Sequence, residues 1–288
     1  MHARKFICFR FDVDTPLCIL RGMPLLSKLG KNAGVPFTFF VNMGRSISIM
    51  ESIRALLWQV RADDGDATPV RKFSAFHKLG MSWYVRTLLF NPAVGSGNHA
   101  IIAEADAAGH EIGLHGGRNH SCWQRGAHRW DAGQVAREVA WGISRLQRAG
   151  VTKVRSFASP GWNAPASLPG VLKACNLSVS ADRHDNRLEA VSFDGSVRDV
   201  PTNFAGEPGG VGYIEHLRAR GASNDYLLAD FRLRLGACKR FAVVYDHPCF
   251  AGVREISMVT RMIATSRELG FHPVTITQLA DLSERDAP

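Results

Sequence analysis

The octapeptide FRFDVDTP, residues 9–16, ends an apolar run with two carboxylates, Asp12 and Asp14. Side chains two positions apart on a β-strand point to the same side of the sheet. The two acids are therefore predicted to face one site at the end of a strand. Carboxylates in such a place can bind a divalent metal ion or accept a proton.

Histidines and acids also stand at the ends of other predicted strands. The run EIGLH ends in His115, and His120 follows five residues later. SVSAD ends in Asp182, and FAVVYDH ends in Asp246 and His247. In parallel α/β folds the reactive side chains gather where strands end and loops begin. Four strands are therefore predicted to deliver acids or histidines to one rim.

This set of side chains favours metal-assisted hydrolysis of a carboxyl derivative. One carboxylate and two imidazoles, here Asp14, His115 and His120, make a three-ligand site with open positions for water and substrate. Asp12 is then free to accept a proton from the attacking water, and His247 can donate a proton to a leaving group. Zinc fits these ligands best, and manganese and cobalt also suit a mixture of oxygen and nitrogen donors.

A DxD motif also has other meanings. It can bind Mg²⁺ and a nucleotide sugar, or it can be the nucleophile motif of a haloacid-dehalogenase-type phosphatase. The phosphatase pattern places Thr or Val after DxDx, whereas here Thr15 comes one place early and Pro16 holds that position. This departure weighs against the phosphatase interpretation.

Apolar, β-rich runs such as FICFRFDV, FTFFVNMG and FAVVYDHP alternate with helix-like segments along the chain. One strongly amphipathic segment begins with Asp131 as its N-cap and ends at Gly150. Strands that alternate with helices predict an α/β fold with a parallel sheet, doubly wound or closed as a barrel. Residues 63–98 interrupt this alternation, and we interpret them as an insertion within a single domain that spans residues 1–288.

The composition is that of a basic globular protein. The chain has 288 residues, of which 45% are hydrophobic and 21% charged, and its formal net charge is +9. This balance favours anionic partners such as nucleic acid, a phosphorylated substrate or an acidic membrane surface. Scattered cysteines without a CxxC motif are typical of a cytosolic protein with reduced thiols. The first apolar run is too short for a signal peptide, and no run approaches transmembrane length. We expect a cytoplasmic protein that touches a membrane only from its inner face.

Five short motifs, in this order, resemble those of the NodB-type polysaccharide deacetylases. They are FDVDT (11–15), GHEIGLHGGRNH (109–120), ASPGWN (158–163), SAD (180–182) and VYDHP (244–248). The variants DVDT, NMGR (42–45) and NHSCWQ (119–124) look most like the ArnD branch of that family. Enzymes of that branch remove formyl from 4-deoxy-4-formamido-arabinose carried on undecaprenyl phosphate, in lipid A modification. The resemblance extends over residues 6–280.

The resemblance implies an irregular (β/α) barrel with fewer than eight regular units and an insertion after the second strand. It implies one bound divalent metal ion and an amide substrate. The roles that it implies are a base at Asp12, metal ligands at Asp14, His115 and His120, and an acid at His247.

The resemblance also implies roles for three further residues. Asp182 would orient His247 and favour its imidazolium form, as a nearby carboxylate does. Backbone N–H groups near Gly161 and Trp162 would help to hold the oxyanion of a tetrahedral intermediate.

The spacing of the two histidines departs from the family pattern. The family usually places them four residues apart, whereas His115 and His120 are five apart, with Asn119 at the expected position. Gly116 and Gly117 make a one-residue bulge sterically easy. The choice of ligand between positions 119 and 120 stays open. The family's Arg-x-Pro-Pro stretch is also reduced to SFASPGW, so the arginine that usually steadies the base is not at its expected place.

The insertion contains a basic stretch rich in aromatic residues, VRKFSAFHKLGMSWYVRTLLF (70–90), in which Phe73, Trp83 and Phe90 stand among arginines and lysines. Such a stretch can lie at a membrane interface, with its rings among the headgroups and its charges near lipid phosphate. We expect it to dock on anionic lipid, as an undecaprenyl-linked substrate would require. The alternative is that its rings pack against the barrel.

Three hypotheses for the function remain. The first is a metal-dependent amide hydrolase that removes formyl from a lipid-linked amino sugar. The second keeps this chemistry but changes the substrate to an N-acetyl glycan, a glycolipid or a small amide. The third is a catalytically silent, basic module that binds lipid or nucleic acid. Nucleic acid is not an expected partner, because the sequence has neither an aromatic RNA-binding motif nor a helix-turn-helix signature.

Overall fold

The computed structural model describes residues 4–47, 81–185, 192–194, 196–206 and 211–285. Strands from both halves of this part of the chain join one sheet. They are β1 Lys5–Val13, β2 Thr38–Val41, β3 Glu111–His115, β4 Ser156–Ala158, β5 Val179–Ser180, β6 Ser192–Asp194, β7 Val197–Asp199, β8 Phe241–Asp246 and β9 Phe271–Pro273. The sheet order is β6–β7–β5–β4–β3–β2–β1–β8, and β9 also pairs with β1.

Helices surround the sheet. They are α1 Met23–Ala33, α2 Met81–Phe90, α3 His99–Ala107, α4 His120–Gly126, α5 Ala132–Arg148, α6 Leu168–Ala174, α7 Tyr213–Ala219, α8 Asn224–Ala237, α9 Pro248–Ala251, α10 Ile256–Glu268 and α11 Ile276–Arg285. A π-helix, Cys18–Gly22, precedes α1. The predicted N-cap of α5 is confirmed, because the Asp131 side chain accepts a hydrogen bond from the N–H of Gln134.

The sheet is parallel and curls into an irregular barrel. Among the described residues every ladder is parallel except the one between β6 and β7. Single bridges from Thr202 to His184 and from Phe204 to Val244 connect the far end of the sheet with β8. The predicted irregular (β/α) barrel is therefore confirmed.

Strand β1 pairs with β2 and β8 on its two sides, and its side chains alternate between two cores. Phe6 and Cys8 belong to a small cluster inside the barrel, whereas Ile7 and Phe9 belong to the large cluster under the helices. Helix α11 contributes to the inner cluster and packs beside the beginnings of the strands. The same alternation directs the later even-numbered residues of β1 toward the barrel interior, at the opposite end from α11.

Residues 81–98 are the described part of the predicted insertion, and they contain α2. The rest of the insertion, including Phe73, lies outside the described residues. No helix in the described ranges has both the length and the apolar character that crossing a bilayer requires.

Candidate functional site

Three side chains meet at the carboxyl ends of β1 and β3. Asp14 directly follows β1, His115 is the last residue of β3, and His120 begins α4. One Asp14 oxygen, Oδ1, lies 3.1 Å from Nε2 of His115, and the other, Oδ2, lies 3.3 Å from Nε2 of His120. Their potential ligand atoms all lie within 4.8 Å of one another. The structure thus brings together the three residues predicted to hold a metal ion.

Two of these ligand atoms are left without a hydrogen bond. Oδ1 of Asp14 and Nε2 of His120 are buried and, within the described part of the chain, have no hydrogen-bond partner. Buried polar atoms are normally hydrogen-bonded or coordinated to a metal. A divalent cation between the three side chains would satisfy both atoms. The residues therefore fit the ion that the sequence predicts, and two nitrogens with one oxygen suit zinc, manganese or cobalt.

The orientation of His115 also suits a metal ligand. Its Nδ1 lies 2.9 Å from the carbonyl oxygen of Ala158. A carbonyl oxygen only accepts, so Nδ1 carries the hydrogen and donates it. In the neutral ring the lone pair is then on Nε2, which faces Asp14. A backbone contact of this kind is a common way to fix the tautomer of a metal-binding histidine.

The electrostatics of Asp14 match its position. Burial alone would raise the pKa of its carboxyl group, but the adjacent His120 and His115 outweigh burial and hold that pKa well below its usual value. The group is therefore a carboxylate and is ready to bind a cation.

The extra residue between the two histidines is absorbed by the turn after β3. Gly116 has φ +71°, in the left-handed region, and a Cβ at this residue would lie 2.6 Å from Cγ of Pro160. Asn119 is the N-cap of α4, since its Oδ1 accepts a hydrogen bond from the N–H of Cys122 at 3.0 Å. Because Asn119 serves the helix in this way, it is His120 that lies beside Asp14.

Asp12 is held by a buried arginine. Nη2 of Arg10 donates to Oδ2 of Asp12 at 2.8 Å, and Nε donates to Oδ1 at 3.0 Å. Arg10 and Asp12 are 1% and 3% exposed, so the pair is almost fully desolvated. The Arg10 guanidinium also lies 4.6 Å from the ring centroid of Trp162 and donates to the carbonyl of Ala181. Fixed from several sides, Arg10 keeps the Asp12 carboxylate in one orientation.

This role of Arg10 was not predicted, although the sequence carries a signal for it. Arg-x-Asp on one strand places both side chains on the same face, two positions apart. The arginine expected near SFASPGW is thus supplied by the strand that carries Asp12. Arg155, the nearest arginine to that motif, binds Asp281 instead, with Nη1 3.1 Å from Oδ2.

His247 follows β8 and contacts two carboxylates. Its Nδ1 lies 3.2 Å from Oε2 of Glu215, and its Nε2 lies 3.2 Å from Oδ2 of Asp14. Its Nε2 is also 3.0 Å from the hydroxyl oxygen of Tyr245. Burial alone would lower the pKa of His247, but its contacts with Asp14 and Glu215 raise that pKa well above the usual value. The structure therefore favours a protonated imidazolium.

The structure pairs Asp182, which the resemblance predicted to orient His247, with two serines instead. The Asp182 carboxylate accepts hydrogen bonds from the backbone N–H and hydroxyl of Ser159 and from the hydroxyl of Ser180. The two bonds from Ser159 connect the end of β5 with the loop after β4. Burial raises the pKa of Asp182. Glu215, on α7, occupies the place beside Nδ1 of His247. No sequence signal marks Glu215, because it stands within a helix and at no strand end.

A second buried group of acids surrounds His247. Glu215, Asp246 and His247 offer ligand atoms within 4.8 Å of one another. The oxygens of Asp246 already accept hydrogen bonds from the backbone N–H groups of Ile214, at 2.7 Å, and His247, at 3.1 Å. Burial and the neighbouring Glu215 raise the pKa of Asp246 to about 7. These contacts anchor α7 to the end of β8 and explain how Glu215 reaches His247.

The turn Pro160–Trp162 lies beside this site but does not supply the predicted donor at Trp162. The backbone N–H of Trp162 donates to the carbonyl of Ser159 at 3.1 Å, which removes it from the predicted oxyanion site. The Trp162 ring lies 5.5 Å from the ring of Tyr245, centroid to centroid, in an edge-to-face arrangement. Trp162 therefore covers Arg10 and Tyr245 through its ring, and an oxyanion contact from Gly161 stays a prediction.

No protein-family model matches the chain. Similar folds occur among solved structures. A protein from Mycobacterium smegmatis assigned as a polysaccharide deacetylase is 16% identical, with a TM-score of 0.66 over 99% of this chain and 92% of that one. The chitin deacetylase of the fungus Colletotrichum lindemuthianum is 14% identical, with a TM-score of 0.55 over 96% of this chain and 87% of that one. The chain has the fold of the polysaccharide deacetylases.

This fold does not by itself establish catalysis. A CE4 family pseudoenzyme from Bacillus anthracis is also similar, with 13% identity and a TM-score of 0.54 over 96% of this chain and 66% of that one. The function therefore has to be argued from the side chains of the site.

Proposed function

We propose that the protein is a metal-dependent hydrolase that removes the acyl group from the nitrogen of an N-acylated amino sugar. The observation that carries this proposal is the meeting of an Asp14–His115–His120 ligand set with Asp12 and His247 at one rim. A binding module has no need of buried, mutually unsatisfied ligand atoms beside an oriented carboxylate and an imidazolium. The silent-module hypothesis is therefore the weakest of the three.

Asp12 is the proposed general base. Arg10 holds both of its oxygens, so the carboxylate is fixed in orientation when it accepts a proton from the attacking water. When bound by Asp14, His115 and His120, a divalent cation would supply Lewis-acid activation of the amide carbonyl and of water. Water adds its oxygen to the acyl carbon, and the bond from that carbon to the sugar nitrogen then breaks.

His247 is the proposed general acid. The departing nitrogen must gain a proton to leave as an amine, and a protonated imidazole can donate it. Glu215 acts as a positioning residue, because its carboxylate contacts Nδ1 and leaves Nε2 directed at the metal site. The products are a carboxylic acid and a free amino sugar.

Within this class we propose a formyl group on a lipid-linked amino sugar as the substrate. The support is the resemblance of DVDT, NMGR and NHSCWQ to the ArnD branch. The net charge of +9 suits a substrate that carries phosphate. An acetyl group is the second candidate, and it is favoured by the similar structures, which include a chitin deacetylase. A cytoplasmic location and a single catalytic domain remain predictions.

Product release distinguishes these candidates. The purified protein, stripped by a chelator and reloaded with zinc, manganese or cobalt, is incubated with N-formyl and N-acetyl amino sugars, and formate and acetate are measured. Formate released only by reloaded protein supports deformylation, and acetate supports deacetylation. Asp12→Asn is the control and should lower either rate at least about a hundredfold. Release of neither product from any reloaded form would overturn the proposal.

A further inference from the structure

Helix α2 presents an apolar side to solvent. Met81, Val85 and Leu89 are 62%, 40% and 68% exposed, and Phe90 is 74% exposed. Residues four apart lie on the same side of a helix, so the first three form a continuous stripe, and Phe90 widens it. Thr87, on the opposite side, is only 5% exposed. We call Met81, Val85, Leu89 and Phe90 the α2 face.

Within helix α2 itself, the α2 face is accompanied by one cation and no acid. Arg86 is the single charged residue of the helix, and its guanidinium carbon lies 5.4 Å from the ring centroid of Trp83. Trp83 itself is half-buried and packs against the large core, so its ring supports the helix from beneath. A groove of about 520 Å³ beside the helix is lined by Ser82, Val85, Arg86, Phe90 and Pro92. The surface is thus apolar and positively charged.

Hydrogen bonds fix α2 to the rim of the candidate metal site. Asn91, which directly follows α2, donates to the carbonyl of Ile47 and accepts a hydrogen bond from the Ile47 N–H. Asn119, the N-cap of α4, donates to the same Ile47 carbonyl at 3.0 Å. The next residue back in the chain, Ser46, donates to the carbonyl of Asp14 at 2.7 Å. A partner that docks on α2 would therefore lie close to the proposed metal ligands Asp14 and His120.

We propose that the α2 face docks on an anionic lipid bilayer, with its apolar side chains among the headgroups and Arg86 near lipid phosphate. An exposed apolar stripe that carries a cation and no acid is complementary to such a surface, and the net charge of +9 adds long-range attraction. The inference rests on the proposed function. Docking would bring the metal site to a sugar that a lipid carrier holds beside the bilayer. Phe90, and not Trp83, then carries the docking predicted from the sequence.

The test measures binding of the full chain to vesicles by co-sedimentation. One set of vesicles contains phosphatidylglycerol and phosphatidylcholine, and the other contains phosphatidylcholine alone. The parent protein should bind the anionic vesicles, and Leu89→Ser/Phe90→Ser should bind them at least about tenfold more weakly. The matched control is Tyr226→Ser/Leu233→Ser on α8, whose side chains are 58% and 75% exposed. It should bind within about twofold of the parent, as surface changes away from the docking face do.

Two results would overturn the docking proposal: no binding of the parent to anionic vesicles, or equal binding by the α2 variant and the parent. A loss as large in the α8 control would overturn it as well, because it would show a general response to lost apolar surface. Hydrolysis of a short soluble N-acyl amino sugar is measured in parallel and should be unchanged in both variants. If soluble substrates are not cleaved while vesicle binding still depends on α2, the proposed function fails and the docking stands.

Discussion

The residues that matter most here are charged groups buried in pairs. Asp12 is held by Arg10, His247 by Glu215, and Asp14 lies between two imidazoles. A buried ion pair stabilises a fold weakly at best, whereas removal of one partner leaves an uncompensated charge. Burying such pairs costs desolvation free energy, so their concentration at one rim points to chemistry there.

Arg10 offers the sharpest test of how the base is held. Arg10→Met leaves Asp12 buried without its cation and should destabilise the protein by about 3–5 kcal/mol, with loss of activity. Arg10→Met/Asp12→Asn removes both charges and should recover most of that stability without recovering activity. Urea unfolding and rate measurements on the three proteins check this. If the double variant is no more stable than Arg10→Met, the pairing does not act as described.

Steady-state kinetics and the melting temperature together distinguish the roles of Glu215 and Asp182. Glu215→Gln keeps the shape of the side chain but removes the charge that supports the His247 imidazolium, so kcat should fall about 10²–10⁴-fold with little change in KM. Asp182→Asn should lower the melting temperature, because its hydrogen bonds with Ser159 and Ser180 weaken, and should change kcat less than about tenfold. The reverse ranking of the two kcat values would restore Asp182 as the partner of His247.

At the scale of elements, strand ends and helix caps set the geometry. β1 sends its even-numbered residues inward, so Arg10, Asp12 and Asp14 follow one another along a single face. The turn at Gly116 and the cap at Asn119 then place His120 opposite that face. The positions of the ligand atoms therefore depend on short loops, which the strands hold in place.

Asp199 on β7 gives the sheet a pH dependence. Burial, with a smaller contribution from Asp182, raises the pKa of Asp199 from 3.8 to about 6. A carboxyl group with a raised folded-state pKa holds more protons in the folded than in the unfolded state. Stability must therefore fall as the pH rises from about 4 to about 6, by about 3 kcal/mol at most from this group.

Urea unfolding between pH 4 and pH 7 measures this effect. Asp199→Asn removes the titration, so its stability relative to the parent should rise with pH. Asp281 is a control of opposite sign, because Arg155 and Arg198 outweigh burial and lower its pKa. Asp281→Asn should lose stability relative to the parent as the pH rises toward about 4, so the curve for this control is extended below pH 4. Parallel pH curves for the parent and Asp199→Asn would contradict the assignment.

Strand periodicity accounts for the part of the site that the sequence predicted. Asp12, Asp14 and His115 lie at strand ends and were placed correctly relative to one another by the alternation of side chains and by the parallel sheet. Glu215 was missed because its contact with His247 joins residues 32 positions apart through the packing of α7 against β8. No periodicity encodes such a contact, and the role predicted for Asp182 rested on the family resemblance.

At the scale of the whole molecule, the candidate metal site and helix α2 lie at the same rim of the barrel. The carboxyl ends of the parallel strands carry the candidate site. Asn91, after α2, and Asn119, at the rim, both donate hydrogen bonds to the carbonyl of Ile47, which connects α2 with this rim. The net charge of +9 would favour the anionic, lipid-linked substrate proposed above.

The central claim is that Asp14, His115 and His120 hold one divalent cation. Its most direct test is anomalous scattering from a crystal of the protein loaded with zinc. We predict one strong peak within coordinating distance of Nε2 of His115, Nε2 of His120 and an oxygen of Asp14. A peak at Glu215, Asp246 and His247 instead, or no peak at either group of residues, would contradict the account.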